Sequence, residues 1–383
     1  MSTLYYFTPE NDIALALNSP FFTPPAAAVQ LRESGAALMA WLGNKNDYFI
    51  GSKDDERWIE RVSQVLETQF PSLFHKSLSI DSCCPWGWSL YTRRQLIRAR
   101  VVPSLLPDEN TIERIRQLGH RRISVKMHEF LSSCSLPYSL HESPAEYSDA
   151  TGIETLLNTG ENLYIKSPWS SSGRGVIDTK NVSVNQVIRM VNGMISHQGS
   201  VLVEKSLNKV QDFAMLYDMI EGKASFVGYS QFFNNGLSNY SGNTLCSDSK
   251  IAANLSALVP EEWIDATQIA VRNALEQILG TDYSGAVGVD MLIYQDERGY
   301  NIAPCIEVNL RLTMGRVAHR LYENFIFPDS TGEFRLEILT PDRSKQLEES
   351  LEKVIIKDNK LAEGTIPLTP PSGNRFCFTM TVR

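Results

Sequence analysis

The sequence predicts a parallel α/β domain over about residues 1–120, followed by a region of α+β structure. Two observations support this division. Short apolar strand candidates alternate with helix candidates in the first part, as they do in parallel sheets. Longer strand candidates joined by tight turns dominate the second part. At about 150 residues per domain, a chain of 383 residues has room for two or three domains or subdomains.

The N-terminal elements follow in a regular order of strand and helix. Thr23-Pro24-Pro25 introduces the first long helix, because threonine caps a helix well and proline suits its first turn. The next helix is amphipathic, with apolar side chains at helical spacing. The predicted elements are the strand Leu4–Phe7, the helix Ala26–Leu42, the strand Tyr48–Gly51, the helix Asp54–Phe70 and the strand Leu78–Ile80.

The second part begins with a helix predicted over about 124–133. Ser183 and Gln186 have the spacing of a capping box, which predicts the start of another helix. Asn234–Lys250 is rich in Asn, Ser and Gly and is predicted to be a long loop. A helix over 261–279 is expected to end at Gly280. The predicted strands are Leu163–Lys166, Val176–Thr179, Val201–Glu204, Asp212–Tyr217, Ala224–Phe232, Ala286–Tyr294, Tyr300–Leu312 and Phe376–Val382.

Composition excludes several classes of protein. The chain is 43% hydrophobic with a net charge of −8, which is typical of a globular protein and argues against nucleic acid as a partner. No basic and apolar leader opens the sequence, and no window of about 18 apolar residues occurs, so neither a signal peptide nor a membrane span is expected. The six cysteines form no CxxC pair and the histidines have no zinc-ligand spacing. We therefore expect a cytoplasmic protein with free thiols.

The two late strands carry polar side chains on one face. Glu307, Asn309 and Arg311 alternate with apolar residues, so they share a face at a spacing of about 7 Å. A hairpin turn at 296–299 would bring Asp290 across from Glu307. Oxygen ligands on a rigid sheet suit Mg²⁺, whereas a half-exposed sheet with a wet face is the simpler alternative. The concentration of charge on two otherwise apolar strands favours a metal site.

A Ser/Gly loop follows the strand that ends at Lys166. The small residues Ser171, Ser172, Gly173 and Gly175 would let backbone amides approach phosphate oxygens, and Lys166 would add a positive charge. The loop lacks the GK[ST] ending of a P-loop. A Rossmann fingerprint would lead into a helix, whereas this loop returns into a strand. It therefore predicts a glycine-rich hairpin that covers a phosphate, although many such loops are only turns.

Two further segments are candidates for nucleotide contacts. Lys126 lies in the first turn of a predicted helix, where a bound phosphate would offset its unfavourable position, but a solvated basic face is an equal alternative. Glu204-Lys205-Ser206-Leu207 follows a strand and precedes Asp212. This segment is a candidate to hydrogen-bond the edge of an adenine through its backbone, with Leu207 against the ring and a carboxylate near the ribose. An ordinary crossover between domains would have the same sequence character.

The N-terminal strings PENDIALAL and CCPWGWS are candidates for substrate contacts. Asn11, Asp12 and Trp86 lie near predicted strand ends, where α/β domains bind ligands. Capping and turn chemistry is the simpler interpretation of these residues. Tyr240 and Lys250, in the predicted 234–250 loop, are weaker candidates, because a surface loop accounts for them.

The order of these features resembles the ATP-grasp superfamily. Its members carry an early lysine, a second lysine with a glycine-rich hairpin, an adenine hinge, and a late acid followed by E-x-N-x-R. The resemblance covers about residues 121–320. The matching positions here are Lys126, Lys166 with SSSGRGV, Glu204-Lys205-Ser206-Leu207, and Asp290 with Glu307-Val308-Asn309-Leu310-Arg311.

The resemblance implies both architecture and chemistry. It implies a Rossmann-like (pre-ATP-grasp) domain at 1–120 that helps bind substrate, a small lid subdomain at 121–200, a large subdomain with the metal site at 201–326, and a C-terminal extension at 327–383 packed on the core. It implies that Lys166 and Arg311 act in catalysis, and that Asp290, Glu307 and Asn309 hold Mg²⁺ or Mn²⁺. The implied ATP contacts are Lys126, Lys166, Ser171, Ser172, Gly173, Gly175, Glu204, Lys205, Leu207 and Asp212.

Most members of the superfamily activate a carboxylate as an acyl phosphate, which an amine or similar nucleophile then attacks. This implies an ATP-dependent ligase acting on a small-molecule or peptide-like carboxylate, and the dimers common in the superfamily allow a homodimer. A kinase that phosphorylates another acceptor and a regulatory protein without turnover are the alternatives. The intact Asp290, Glu307, Asn309 and Arg311 set argues against the regulator.

Overall fold

The computed structural model of the chain describes residues 1–170, 175–234 and 240–383. Its N-terminal sheet is parallel, as predicted, with strand order β3-β2-β1-β4. The strands are β1 (Thr3–Tyr6), β2 (Tyr48–Phe49), β3 (Ser72–Leu73) and β4 (Ser82–Pro85). The helices are α1 (Asn11–Leu17), α2 (Ala26–Ser34), α3 (Lys53–Leu66) and α4 (Leu90–Arg98), with short 3-10 helices at Ala36–Trp41 and Pro103–Leu105.

Two N-terminal predictions need correction. The helix predicted over Ala26–Leu42 ends at Ser34, because the chain passes Phe7 so closely that a Cβ at Gly35 would lie 2.4 Å from the ring. The segment Leu78–Ile80 is not a strand, and β3 and β4 take its place in the sheet. Ile80 is apolar because it packs in a buried cluster, which requires no strand pairing.

The second sheet has four strands in the order β5-β8-β6-β7. Its strands are β5 (Ala145–Tyr147), β6 (Leu163–Lys166), β7 (Val176–Asp178) and β8 (Val201–Lys205), and the surrounding helices are α5 (Glu109–Leu118), α6 (Ile123–Ser132), α7 (Thr151–Asn158) and α8 (Val184–Gln198). The predicted β6–β7 hairpin is present. The predicted capping box is wrong, because the Gln186 amide bonds the Ser183 carbonyl and no side chain caps α8.

The third sheet has nine strands in the order β13-β12-β9-β10-β11-β14-β17-β16-β15. Its strands are β9 (Lys209–Ile220), β10 (Lys223–Asn234), β11 (Tyr240–Leu245), β12 (Gly285–Asp296), β13 (Gly299–Asn309), β14 (Gly332–Ile338), β15 (Ile355–Lys357), β16 (Lys360–Pro367) and β17 (Phe376–Val382). The accompanying helices are α9 (Asp248–Ser256), α10 (Glu261–Leu279), α11 (Met314–Phe325) and α12 (Pro341–Ser350), and a 3-10 helix spans Gly280–Asp282.

The loop predicted over Asn234–Lys250 is wrong for most of its length, although residues 235–239 lie outside the described part. β11 pairs with β10 and β14, and Ser247 then caps α9. The polar composition misled the prediction because these polar groups bond one another inside the sheet. The buried amide of Asn243 donates to Ser230 and accepts from the Tyr240 hydroxyl.

The N-terminal domain is joined to the C-terminal strands by hydrogen bonds from two buried tryptophans. The Trp41 Nε1 donates to the Leu368 carbonyl and the Trp58 Nε1 to the Pro367 carbonyl, each at 2.9 Å. One apolar core runs through both regions. The packing of these two regions therefore fixes the carboxyl ends of the parallel strands beside the large sheet.

Within the described residues, no helix is long and apolar enough to cross a membrane.

Candidate functional site

The β12–β13 hairpin brings two carboxylates and an amide together. Asp290 pairs directly with Glu307, and the Asn309 Nδ2 donates to the Asp290 Oδ2 at 3.1 Å. Burial and the charge of Glu307 raise the pKa of Asp290 to about 7. Burial alone would also raise the pKa of Glu307, but Arg121, Lys166 and Arg311 hold it below its usual value. The hairpin thus holds concentrated negative charge close to three cations.

The donor set of this hairpin fits a hard divalent cation. Carboxylate and amide oxygens are ligands that Mg²⁺ accepts, with the remaining positions left to water and phosphate. The residues that the structure describes contain no cluster of three His, Cys, Asp or Glu side chains able to hold a metal. Two carboxylates and an amide leave several coordination positions of such a cation open. A bound phosphate is a ligand that fills them.

Lys166 lies at the end of β6 and forms an ion pair with Glu204 on the neighbouring β8. Both side chains are largely buried, and Lys166 is close enough to Glu307 for its charge to lower the pKa of that carboxyl. Cys305 lies on the same face of β13 as Glu307, and burial together with the charge of Glu204 raises the pKa of its thiol. The four-stranded sheet and the hairpin therefore meet at these side chains.

Arg121 links the four-stranded sheet to the hairpin directly. Its Nη2 lies 2.9 Å from the Glu307 Oε1, and its Nη1 donates to the Ser167 carbonyl at 2.8 Å and to the Ser170 Oγ at 2.6 Å. The side chain is 8% exposed. Its Nε is buried and has no hydrogen-bond partner among the described residues. Arg121 therefore has an unused donor at the centre of the site.

Arg311 is held by the N-terminal domain. Its Nη2 lies 2.9 Å from the Asp12 Oδ2, and its Nε is 3.1 Å from both carboxylate oxygens. Neither Asn11 nor Asp12 caps α1, so the capping interpretation of these residues is wrong. The Asn11 Oδ1 is buried without a partner among the described residues. Gly87 leaves room for Asn11, since a Cβ there would lie 2.4 Å from its Nδ2.

Several of these residues line a polar cleft between the N-terminal region and the two antiparallel sheets. The cleft encloses about 420 Å³, including its open mouth. Two ion pairs line it, Arg121 with Glu307 and Arg311 with Asp12. The residues that line the cleft include Asn11, Asp12, Arg121, Trp169, Glu307 and Arg311.

Comparison with known proteins identifies the architecture. Phosphoribosylamine–glycine ligase from Thermotoga maritima superposes with a TM-score of 0.53 at 12% identity, over the whole of this chain and 91% of the other. The biotin carboxylase domain dimer of the Hydrogenobacter thermophilus 2-oxoglutarate carboxylase superposes at 0.50, with 13% identity, over the whole of this chain and 85% of the other. Its crystal structure contains magnesium ADP and bicarbonate. No family model and no curated protein sequence matches the chain.

The chain has the ATP-grasp fold. The resemblance noted in the sequence is confirmed at this level. The four-stranded and nine-stranded sheets are both part of this fold. The cleft described above opens at their junction.

The structure separates the other predicted ATP-grasp residues. Lys126 is exposed and lines a second, small cleft beside Arg122 and Ile278. Lys205 points outward and forms ion pairs with Glu142 and Glu161 at 2.7 and 3.0 Å. These residues are therefore not grouped with the hairpin.

The remaining hinge and loop residues that the structure describes are Leu207, Asp212 and Gly175, none of which lines the first cleft. Leu207 is half-buried after β8, and the Asp212 carboxylate accepts from Lys209 at 2.7 Å. Ser171, Ser172 and Gly173 lie outside the described residues. Gly175 follows them with φ of +69°, and its carbonyl accepts the Ser167 amide at 2.8 Å. A positive φ explains why glycine occupies that position.

Four residues in or near the site were missed or undervalued from the sequence. Arg121 was not singled out as a site residue, and Asp12 was a candidate for substrate contact that ranked below capping and turn chemistry. Cys305 was not considered, although it shares the alternation of Glu307 and Asn309. His141 has a pKa lowered to about 4 by burial, then by His128 and Lys166. Strand alternation was the available signal for Cys305, whereas the others depend on tertiary packing.

Proposed function

We propose that this chain is an ATP-dependent ligase that activates a carboxylate as an acyl phosphate for attack by an amine or similar nucleophile. The observation that carries the proposal is the placement of Asp290 opposite Glu307, close to Lys166, within an ATP-grasp fold. The solved neighbours give additional support, since one is a phosphoribosylamine–glycine ligase and the other was solved with magnesium ADP.

For the metal, we propose Mg²⁺, or Mn²⁺, on Asp290, Glu307 and Asn309. A divalent cation would relieve the repulsion between the two buried carboxylates that raises the pKa of Asp290. When bound, the cation supplies charge neutralisation to the phosphates of ATP. Asn309 already orients the Asp290 carboxylate through its amide. The protein's part is to hold these oxygens in place before the nucleotide arrives.

For the nucleotide, we propose contacts from Lys166, Gly175 and the 171–173 segment to the phosphates. The hinge, Glu204 to Leu207, and Asp212 would hold the adenosine. Lys166 has more structural support than Lys126, because Lys166 is buried beside Glu204 whereas Lys126 lies in another cleft. The Lys166 ammonium would stabilise the charge that develops during phosphoryl transfer.

For the substrate, we propose that residues 1–120 form a Rossmann-like domain that supplies one wall of its site. The strand order of this sheet is that of the first four strands of a Rossmann fold. Arg311 would bind the carboxylate and stabilise the transferring group, held in place by Asp12. The unpaired Asn11 Oδ1 would accept a hydrogen bond from the substrate. A small-molecule or peptide-like carboxylate suits this wall.

For the organisation of the chain, we propose a lid subdomain at 121–200, a large subdomain at 201–326 and a C-terminal extension at 327–383. The extension contributes strands to the large sheet, because β14 pairs with β11. All six cysteines are free, which supports a reducing compartment, and we propose the cytoplasm.

One assay tests the proposed function. Purified protein with Mg²⁺-ATP is incubated with pools of carboxylic acids and amines, and release of ADP and phosphate is measured. Release that requires both an acid and an amine supports the ligase. ADP without free phosphate, together with a phosphorylated acceptor, would indicate a kinase instead. Tight ATP binding without turnover on any pool would indicate a regulatory protein.

A further inference from the structure

Arg121 lies at the meeting point of three segments of the chain. It precedes α6, contacts Ser167 and Ser170 after β6, and forms an ion pair with Glu307 on β13. Ser167 directly follows Lys166, so the guanidinium lies beside the strand end that carries this lysine. An arginine at this junction contacts both the proposed metal side and the proposed phosphate side.

The hydrogen bonds of Arg121 are unevenly divided. Nη1 has two acceptors, the Ser167 carbonyl and the Ser170 Oγ, which fix the position of the side chain. Nη2 has the Glu307 carboxylate at 2.9 Å and only a long contact to the Ser170 carbonyl at 3.3 Å. The Nε is buried and has no acceptor within residues 1–170, 175–234 and 240–383. If Glu307 were engaged elsewhere, Nη2 would lose its short contact, while Nη1 would remain anchored.

A divalent cation would engage Glu307 elsewhere. The carboxylate oxygen that accepts from Arg121 belongs to a proposed metal ligand, and a dication beside it repels the guanidinium. We propose, resting on the proposed function, that Arg121 exchanges partners. Without a cation it pairs with Glu307, and once a cation occupies Glu307 its free N–H groups bind a phosphoryl oxygen of the nucleotide.

The chemistry of the guanidinium favours a phosphoryl partner over another carboxylate. Arginine presents donors in a planar fork that matches phosphate oxygens, and it remains charged when buried. Among the other carboxylates of the site, Glu204 and Asp12 are already paired with Lys166 and Arg311, and Asp290 is itself a proposed ligand of the cation. A phosphoryl group beside Lys166 would satisfy both Nη2 and the unpaired Nε. Arg121 would thereby be a catalytic residue.

The exchange is tested with R121M and R121K, with R122M as the matched control. Arg122 is the next residue, is half-exposed and pairs with Glu146 at 3.0 Å, away from Glu307. Mn²⁺ binding to the nucleotide-free proteins is measured by electron paramagnetic resonance. We expect R121M to bind Mn²⁺ about tenfold more tightly than wild type, because a competing cation is removed from Glu307. R122M should match wild type.

The turnover number of R121M should fall, whereas its affinity for Mn²⁺ should rise. We expect kcat of R121M to fall about 100-fold or more, since a donor to the transferring group is lost. R121K retains the charge but not the fork, so its kcat should fall about tenfold. It also provides a second test if R121M fails to fold. An arginine with only a structural role would weaken Mn²⁺ binding and turnover together.

The outcomes separate this inference from the proposed function. Wild-type Mn²⁺ affinity in R121M, or wild-type kcat in both variants, would overturn the exchange even if the ligase is active. If the wild-type chain releases no ADP with any pool, the proposed function fails, and so does the phosphoryl half of the exchange. The Mn²⁺ comparison without nucleotide then decides whether Arg121 competes for Glu307.

Discussion

The two walls of the cleft are built in different ways. The hairpin wall, β12 and β13, supplies Asp290 and Asn309 from residues only 19 apart, on two directly paired strands whose register shifts once, between Asp290 and Leu292. The assembled wall joins distant segments, because Arg121 and Glu307 are 186 residues apart, and Asp12 and Arg311 are 299 apart. We therefore expect the hairpin to keep its backbone structure when one functional group is removed. The structure of the assembled wall, in contrast, depends on every contact across it.

The largest effect is expected from E307Q in the hairpin wall. The amide lowers the charge available to a metal, and we expect kcat to fall about 1,000-fold or more. The free energy of unfolding should change by no more than about 2 kcal/mol, because glutamine still accepts from Arg121 and no longer repels Asp290. Steady-state ADP release and urea unfolding measure the two quantities.

E297Q, in the exposed turn of the same hairpin, is the matched control and should retain wild-type activity. Wild-type kcat in E307Q would show that the metal assignment is wrong. A large loss of stability instead would show that the hairpin is no more robust than the assembled wall.

A smaller effect is expected from D12N in the assembled wall. Asp12 fixes Arg311 through three contacts, and the neutral amide would hold it less firmly. We expect kcat/KM for the carboxylate to fall about 10- to 100-fold, because a displaced guanidinium binds the substrate poorly. ATP affinity should change little. D54N, an exposed helix residue, is the control. Equal losses for ATP and carboxylate would contradict the assignment of this wall to substrate.

G87A should sharpen the comparison by crowding the assembled wall without changing its charge. The new Cβ would lie 2.4 Å from the Asn11 Nδ2 and 3.2 Å from the Arg311 Cβ. We expect a loss of about 1–3 kcal/mol in stability and a rise of about tenfold in KM for the carboxylate. G193A, in α8 with open space around it, should be neutral or slightly stabilising. Unchanged KM in G87A would place the substrate elsewhere.

The smallest effect concerns pH and the support of the assembled wall. Burial and the charge of Arg122 lower the pKa of His120 to about 4, and its ring packs edge-on against Trp169 at 4.6 Å. Between about pH 6.5 and 4, the unfolded chain binds a proton at His120 that the folded chain does not bind. The free energy of unfolding should therefore decline as pH falls through this range. The slope from one histidine is up to about 1.4 kcal/mol per pH unit.

Unfolding measured at several pH values in wild type and H120Q checks this expectation. H120Q should lose part of the slope, and H75Q, at an exposed position, should keep it. If the free energy of unfolding depends on pH equally in wild type and H120Q, the neutral form of His120 does not support the assembled wall.

The sequence predicted the hairpin wall better than the assembled one, and the reason is physical. Strand alternation placed Glu307 and Asn309 on one face, and the turn at 296–299 put Asp290 opposite them, as the register shows. Arg121 and Asp12 take their roles from contacts with segments far along the chain, which no local pattern records. The strand β11 was missed for a related reason, since the side chain of Asn243 finds its partners, among them Ser230 and Tyr240, only when the chain folds.

The position of β17 has a consequence for how the protein is made. Phe376–Val382 is the last strand in sequence, yet it lies between β14 and β16. While the ribosome is still synthesising it, β14 has an unpaired edge, and Phe334 lacks the Phe378 ring that later stacks on it at 5.8 Å. The nascent chain therefore exposes an unpaired edge of β14 until Phe376–Val382 has been made, so the large sheet closes only after this strand leaves the ribosome.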